Sequence, residues 1–310
     1  MPKRAGKDHI FTRSERKIII MNDIKICVLG GDVRQVYAAR ELCKQGYEVT
    51  VCGIDHDTGD AVKGASLESA VCGADLVLLP LPFSTDSIRI STPLWDKEIR
   101  IDQLCRNLEK GQIIAGGKLN ESFGEIIEQK ECIKFDYYES EKLSIMNAVP
   151  TAEGALAIAL NEMNMTLFGS KTAILGYGRI GRVLARMLKN LNSDVSVFAR
   201  SEAALAWAEA EGCSGVNLYE LSDKVGKFDL VINTIPFVVL NKNVLEKTNE
   251  GTVFIDLASK PGGIDFDYAR KLGRKVFWAL SLPGKTAPVS AGKIIAECIT
   301  EKLKEIKNQK

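Results

Sequence analysis

Short β-rich runs alternate with amphipathic stretches twice over in this chain. That rhythm fits parallel sheets covered by crossover helices better than any other architecture. From Ile24 the first series reads "IKICVLGG", "RQVYAARELCKQG", "YEVTVCG", "DLVLLPLP" and "QIIAGG". The second begins at Thr172 with "TAILGYGRIGRVLARMLKNLNSDVSVFAR" and continues through "FDLVINTIP", "TVFIDLAS" and "KVFWALSLPG". Near residue 150 the two are joined by "NAVPTAEGALAIALNEMNMTL", where Pro150 and Thr151 predict a helix start before an apolar run, hence a buried helix linking domains. The closing stretch "SAGKIIAECITEKLKEIK" predicts a helix that folds back on the first domain and makes it discontinuous.

Composition supports two globular bodies: 310 residues with 45% apolar and 26% charged side chains can bury two cores. Residues 1–20 hold six basic and two acidic residues, so of the formal net charge of +1 this stretch carries +4 and the remainder −3. A mildly acidic body argues against a nucleic-acid partner, which needs a concentrated basic surface. The basic extension 1–20 is expected to be disordered and has no signal-peptide core, because only Ile18, Ile19 and Ile20 run together. Met21, directly before "NDIKICVLGG", reads as an alternative start, with amphipathic targeting the weaker reading of the extension. No later segment reads as long enough to span a bilayer, so neither membrane nor export is expected and the cytoplasm is the expected compartment. Eight cysteines without a C-x-x-C pair, among them Cys27, Cys52, Cys72, Cys213 and Cys298, read as reduced core residues with no metal framework.

"GYGRIG" sets Gly176, Gly178 and Gly181 in G-x-G-x-x-G spacing after a strand and before a helical pattern, the context that turns a weak motif into a strong one. Gly176 permits the turn, Gly178 admits a pyrophosphate, and Gly181 lets the helix lie close to the strand, with Arg179 and Ile180 in the helix's first turn. About twenty residues on, where an acid would hold the ribose of NAD, stands Ala199-Arg200-Ser201. A guanidinium beside a hydroxyl suits a 2′-phosphate, so the expected cofactor is NADP; a solvated strand-end cation is the plainer reading of Arg200. The fold class that follows is α/β, two Rossmann-like doubly wound parallel-sheet domains with a cleft between them. The expected boundaries are 21–146 plus 288–310 for a substrate-binding domain and 147–287 for the NADP-binding domain.

The first half imitates the motif in "VLGGDVRQVYAAR", but its third glycine position holds a larger residue, so no second dinucleotide is assigned. Asp32 and Arg34 at that helix start are open to two readings, a site for a substrate carboxylate or a surface salt bridge. Only His9 and His56 occur, neither in the second half, which disfavours a histidine proton shuttle and a zinc alcohol dehydrogenase alike. What remains are lysine-bearing, glycine-rich stretches read as loops beyond strand ends: "GGKLN" with Lys118 and Asn120, "ASKPGG" with Ser259 and Lys260, and "LPGKTAP" with Lys285 and Thr286. Cations and backbone donors there suit a small anion, although for any single lysine a plain surface position weighs as much.

Together "AILGYGRIGRVLARML", "INTIP", "IDLASKPGG" with "DFDYAR", "LPGKTAPVSAG", the early "GGD-x-R" and "PTAEGALAIAL" resemble the dipicolinate synthase A-subunit family of spore-forming bacteria, from about Ile24 to Ile299. The basic extension is the one departure. The resemblance implies oxidation of a dihydrodipicolinate-type intermediate of the lysine pathway to pyridine-2,6-dicarboxylate. NADP⁺ would be the hydride acceptor, a flavoprotein-like B subunit the partner, and the mother cell of a sporulating bacterium the setting. On that reading Arg34, Lys118, Asn120 and Ser259 or Lys260 hold carboxylates, and Thr234, Pro236 and the Lys285 stretch line the nicotinamide side. Glu153 or one of the lysines Lys118 and Lys260 takes the proton, with helix packing the alternative for Glu153. A homo-oligomer is expected. The rivals are another NADP-linked dehydrogenase, of the quinate/shikimate or amino-acid type, and a nucleotide-binding regulatory subunit without turnover.

Overall fold

A computed structural model describes residues 24–308, and the basic extension lies outside the described residues. The chain divides into two compact units, one of residues 24–143 with 291–308 and one of residues 144–290. The first holds strands β1 (Lys25–Leu29), β2 (Glu48–Cys52), β3 (Val62–Lys63), β4 (Leu76–Leu78), β5 (Ile113–Gly116) and β6 (Ile133–Asp136), in the order β3-β2-β1-β4-β5-β6. The second holds β7 (Lys171–Leu175), β8 (Asp194–Ala199), β9 (Ser214–Asn217), β10 (Leu230–Asn233), β11 (Val253–Asp256) and β12 (Lys275–Trp278), in the order β12-β11-β10-β7-β8-β9. All pairings between these strands are parallel. Each order reverses direction beside its first strand, which places a crevice beyond the carboxyl ends of β1 and β7.

The sequence of the central strands explains why they are central. Val28 lies between Val51 and Leu78, and Ile174 between Val197 and Ile232, each buried on both faces as parallel strands require. Three strands escape the sequence reading: β3, β6 and β9. They are short, carry exposed positions, and lack the apolar run that marks a doubly covered strand.

Helices cover both faces. Val36, Ala39 and Leu42 of the helix Val33–Lys44 share a core with Ile295, Ala296, Ile299 and Leu303 of the helix Pro288–Asn308, so the end of the chain packs within the first unit. The Thr300 hydroxyl donates to Gln45 Oε1 at 2.6 Å in the same seam. Gly292 is where the helices touch most closely: a Cβ there would stand 2.6 Å from Tyr37 Cβ and 2.7 Å from Arg34 O.

Three sequence expectations are corrected by the helices. The linking helix starts at Glu141, not at Pro150, and carries the proline in its interior through Glu162. Ala148, Ala152, Ala155 and Ala159 are buried along it, and this packing outweighs the proline's preference for a first turn. With 22 residues it is, by length and composition alone, long and apolar enough to cross a membrane, contrary to the expectation that no segment is. Ala152, Ala155 and Ala159 instead fill the core of the second unit, the ordinary use of such a helix in a large α/β body. "LPGKT" is likewise a short helix, Leu282–Thr286, rather than a loop.

The cysteines are all free, and Cys27, Cys52 and Cys213 are buried as expected, but Cys298 is only half-buried and Cys72 is exposed at a helix end. Burial pushes the Cys27, Cys52 and Cys213 thiols up, which keeps them neutral and unreactive at ordinary pH.

Replacing Gly292 with alanine is expected to cost about 1–3 kcal/mol, since two backbone atoms would have to give way. Urea unfolding followed by circular dichroism measures this, and an unchanged midpoint would show that the last helix does not seat there.

Candidate active site and cofactor cradle

The glycine turn of the second unit does what its spacing predicts. Gly176 has φ +94°, a conformation open to glycine, and its N–H donates to Phe198 O at 2.9 Å. Gly181 brings the helix Arg179–Asn190 so near to β7 that a Cβ would lie 2.2 Å from Gly176 O. Gly178 is the N-cap, with no side-chain hydrogen bond at the cap and nothing within 4 Å of a Cβ placed on it. The helix end therefore turns its positive dipole to an open side, which suits a pyrophosphate. Arg179 and Ile180 form the first two helical residues there.

A cavity of about 550 Å³ opens beside this turn, lined by Gly176, Tyr177, Ala199, Arg200, Ser201, Ala204, Leu218 and Ile235. None of these carries a carboxylate. Arg200 is exposed and lies over the Phe237 ring at 5.3 Å, a cation–π contact that the sequence reading missed. Ser201 caps the next helix without a side-chain hydrogen bond, so its hydroxyl is not committed to the cap. Thr234 donates its hydroxyl to Leu175 O at 2.9 Å and stands where Gly176 needs its missing Cβ, while Pro236 is exposed. Tyr177 donates to Glu211 at 2.7 Å; burial and that carboxylate both push the phenol up.

The loop with Ser259 and Lys260 hangs on a buried carboxylate. Asp256, the last residue of β11, accepts from Asn233 Nδ2 at 2.8 Å, Ala258 N at 3.0 Å and Gly263 N at 2.7 Å. Asn233 in turn bonds both ends of its own turn, through Ile235 O and Ile235 N. Ser259 and Lys260 are exposed above this anchor. Lys285 is exposed in the last turn of its short helix, and that helix seats on Gly154, where a Cβ would come within 2.8 Å of Thr286 Oγ1. Glu153, the neighbour of Gly154, is exposed. Packing thus accounts for Gly154 and leaves the Glu153 carboxylate accessible.

The similar turn of the first unit is less suited to a dinucleotide phosphate. Matched on strand ends and helix starts, Asp32 takes the place of Gly178 and Gln35 that of Gly181. A carboxylate at the N-cap repels the phosphate that a glycine would admit. The turn is also covered, because Gly31 N donates to Ser91 O at 2.8 Å and a Cβ on Gly30 would stand 2.9 Å from that same oxygen.

Arg34 forms a salt bridge, and a buried one rather than a surface one. It is 7% exposed, pairs with Asp32 through Nε at 2.9 Å and Nη2 at 2.7 Å, and gives Nη2 also to Leu81 O at 2.6 Å. Only Nη1 is left without a hydrogen bond among the described residues. Asn120 is a helix cap, its Oδ1 accepting from Phe123 N at 2.9 Å and Ser122 Oγ at 3.1 Å. Lys118 is exposed, with φ +60° and its ammonium 4.8 Å from the centre of the Tyr138 ring. Among the described residues no group of three or more His, Cys, Asp and Glu is placed to hold a metal ion.

The two inner glycines separate fold from binding. Gly178→Ala is expected to leave the melting temperature unchanged and weaken binding of a nicotinamide dinucleotide by roughly tenfold or more, about 1.4 kcal/mol. Gly181→Ala should instead cost about 1–3 kcal/mol of stability. Calorimetric titration and thermal melting distinguish them, and equal effects on both would sink the assignment.

Known proteins bear on this geometry in two parts. Residues 25–138 match the model of the N-terminal domain of the dipicolinate synthase A subunit, and residues 151–260 that of the D-isomer specific 2-hydroxyacid dehydrogenase NAD-binding domain. The chain is 35% identical to the dipicolinate synthase A subunit of Bacillus subtilis (strain 168), over 93% of this chain and 98% of that one. The crystal structure of the Bacillus subtilis A chain superposes with a TM-score of 0.83 at 34% identity, covering 93% and 98% of the two chains. That of the A subunit from Bacillus halodurans gives 0.82 at 28% identity, covering 91% and 98%. With a bare glycine cradle for a nicotinamide dinucleotide in one unit and the family's own N-terminal domain in the other, the chain belongs to the dipicolinate synthase A-subunit family.

Proposed function

We propose that this chain oxidises a dihydrodipicolinate-type intermediate to pyridine-2,6-dicarboxylate with NADP⁺. The observation that carries the choice of cofactor is the cavity wall at Ala199, Arg200 and Ser201, where a guanidinium and a hydroxyl stand and no acid does. Arg200 is held over Phe237, which leaves its planar fork pre-oriented for a phosphate. When bound, the nicotinamide supplies the hydride acceptor. The chain's own residues bind, orient and deprotonate.

The ring loses a hydride and a proton as it becomes aromatic, so the protein has little bond-making to perform and orientation is its main contribution, worth about 7–11 kcal/mol in favourable cases. Lys118 and Lys260 each present an exposed ammonium suited to a carboxylate, with Ser259 and the Asn120 amide nitrogen as neutral donors and Lys285 as a further cation. Arg34 contributes through Nη1, its other donors being held by Asp32 and Leu81. Glu153 is the proton acceptor we favour, being an exposed carboxylate beside the helix that carries Lys285. The subunit naming of the relatives supports a B-subunit partner, and the proposal further includes a homo-oligomeric state and the cytoplasm of a sporulating mother cell.

A coupled assay tests this, with a dihydrodipicolinate synthase making the unstable intermediate in place while nicotinamide reduction and pyridine product are followed together. Both signals should appear with NADP⁺, and Arg200→Ala should lower kcat/KM for NADP⁺ roughly 10- to 100-fold while sparing NAD⁺, as expected for lost bonds to a charged group. Equal use of NAD⁺ would refute the role of Arg200 and leave the reaction standing. Silence with both, ended by the B subunit, would assign turnover to the assembly. Activity only toward hydroxy or amino acids would replace the reaction.

A further inference from the structure

We infer that Asp136 is the positioning residue for Lys118, one carboxylate setting both the lysine's backbone and the aromatic ring on which its ammonium rests; the catalytic meaning of this rests on the function proposed above. Lys118 sits at φ +60°, a region that residues other than glycine occupy only when their surroundings hold them there. The surroundings here are one side chain. Asp136 Oδ1 accepts from Lys118 N at 3.1 Å and Oδ2 from Leu119 N at 2.8 Å, so the loop is gripped on both sides of the lysine's strained torsion.

The same Oδ1 accepts from Tyr138 N at 2.9 Å. The Tyr138 ring lies 4.8 Å from Lys118 Nζ, so the carboxylate that fixes the lysine's backbone also fixes the platform for its charge. Both ends of this clasp are rigid. Tyr137, between Asp136 and Tyr138, is fully buried and donates its hydroxyl to Leu79 O at 2.9 Å. On the other side a Cβ at Gly117 would meet Leu81 Cβ at 2.7 Å, so the chain enters the lysine loop pressed against its neighbour. Asp136 is itself 9% exposed and ends β6, and receives three N–H groups from the segments at either end of the β5–helix–β6 connection.

An acceptor-only group is needed for that pattern, because an amide would turn one oxygen into a donor facing an N–H. Asp136→Asn is therefore the nearly isosteric test. Reductive ¹³C-methylation of the lysines, with Lys118→Arg to assign the signal, should show a Lys118 resonance shifted by the Tyr138 ring current. That shift is expected to vanish in Asp136→Asn and in Tyr138→Leu, the second a change at an exposed ring that keeps the test readable should the first variant fold poorly. In the coupled assay Asp136→Asn should lose on the order of 10²-fold in kcat/KM, and no more than Lys118→Ala when the two are combined.

A ring-shifted Lys118 signal surviving in Asp136→Asn, or no ring shift in the parent protein, would overturn the inference. So would losses that multiply in the double variant. The resonance is read without substrate, so a failure of the proposed reaction leaves the role of Asp136 standing and is seen separately, as no pyridine product from the parent protein; unaltered turnover in Lys118→Ala would instead refute the catalytic part of the inference.

Discussion

Parallel strands bond to one another and must be covered on both faces, and most of the candidate site of this chain follows from that constraint. Strands such as β1 and β7 are apolar along most of their length, and the buried Thr172 at the start of β7 is spent on a hydrogen bond with Ser193, so chemistry is displaced to the loops beyond their carboxyl ends. Residues 30–34 follow β1, 118–120 follow β5, 176–181 follow β7, 200–201 follow β8, 234–236 follow β10 and 259–260 follow β11. A loop left to itself would be mobile, and two of these are held by an aspartate that ends a strand. Asp136 and Asp256 each collect three N–H groups and so turn a flexible lysine-bearing segment into part of the scaffold.

The two units also show how little separates a nucleotide cradle from a turn that has lost that use. Both have a glycine of positive φ directly after the first strand and a 12-residue helix starting three residues later. The difference is the N-cap, open glycine in one and Asp32 in the other, together with a Ser91 carbonyl that accepts a bond a phosphate would otherwise take. Charge and occupancy decide the matter. The freed turn of the first unit is used instead to bury Arg34 against Asp32.

Much of this was legible in the sequence where the physics is local. Strand runs with both faces apolar, the spacing of Gly176, Gly178 and Gly181, and the missing acid at Arg200 each depend on residues a few positions apart. The edge strands β3, β6 and β9 left no such trace, since half-exposed strands of two to four residues look like any polar loop. Pro150 misled because a proline's own preference is a weak force beside a face of buried alanines. Arg34 was recognised as a charged group at a helix start, yet its burial depends on Leu81, 47 positions away. The anchors at Asp136 and Asp256, and Phe237 under Arg200, were invisible for the same reason, their partners being brought near only by the sheet.

The seat of the last helix has a consequence for how the chain is made. Synthesis delivers the first unit's six strands before the second unit begins, yet Val36, Ala39 and Tyr47 stay uncovered on one side until Ile295, Ala296, Ile299 and Leu303 have left the ribosome. The second unit is complete by residue 290. The usual order, in which the domain translated first folds first, is thereby reversed. The nascent chain carries an open apolar face on its first unit until the helix Pro288–Asn308 is made, and that helix acts as the closing piece.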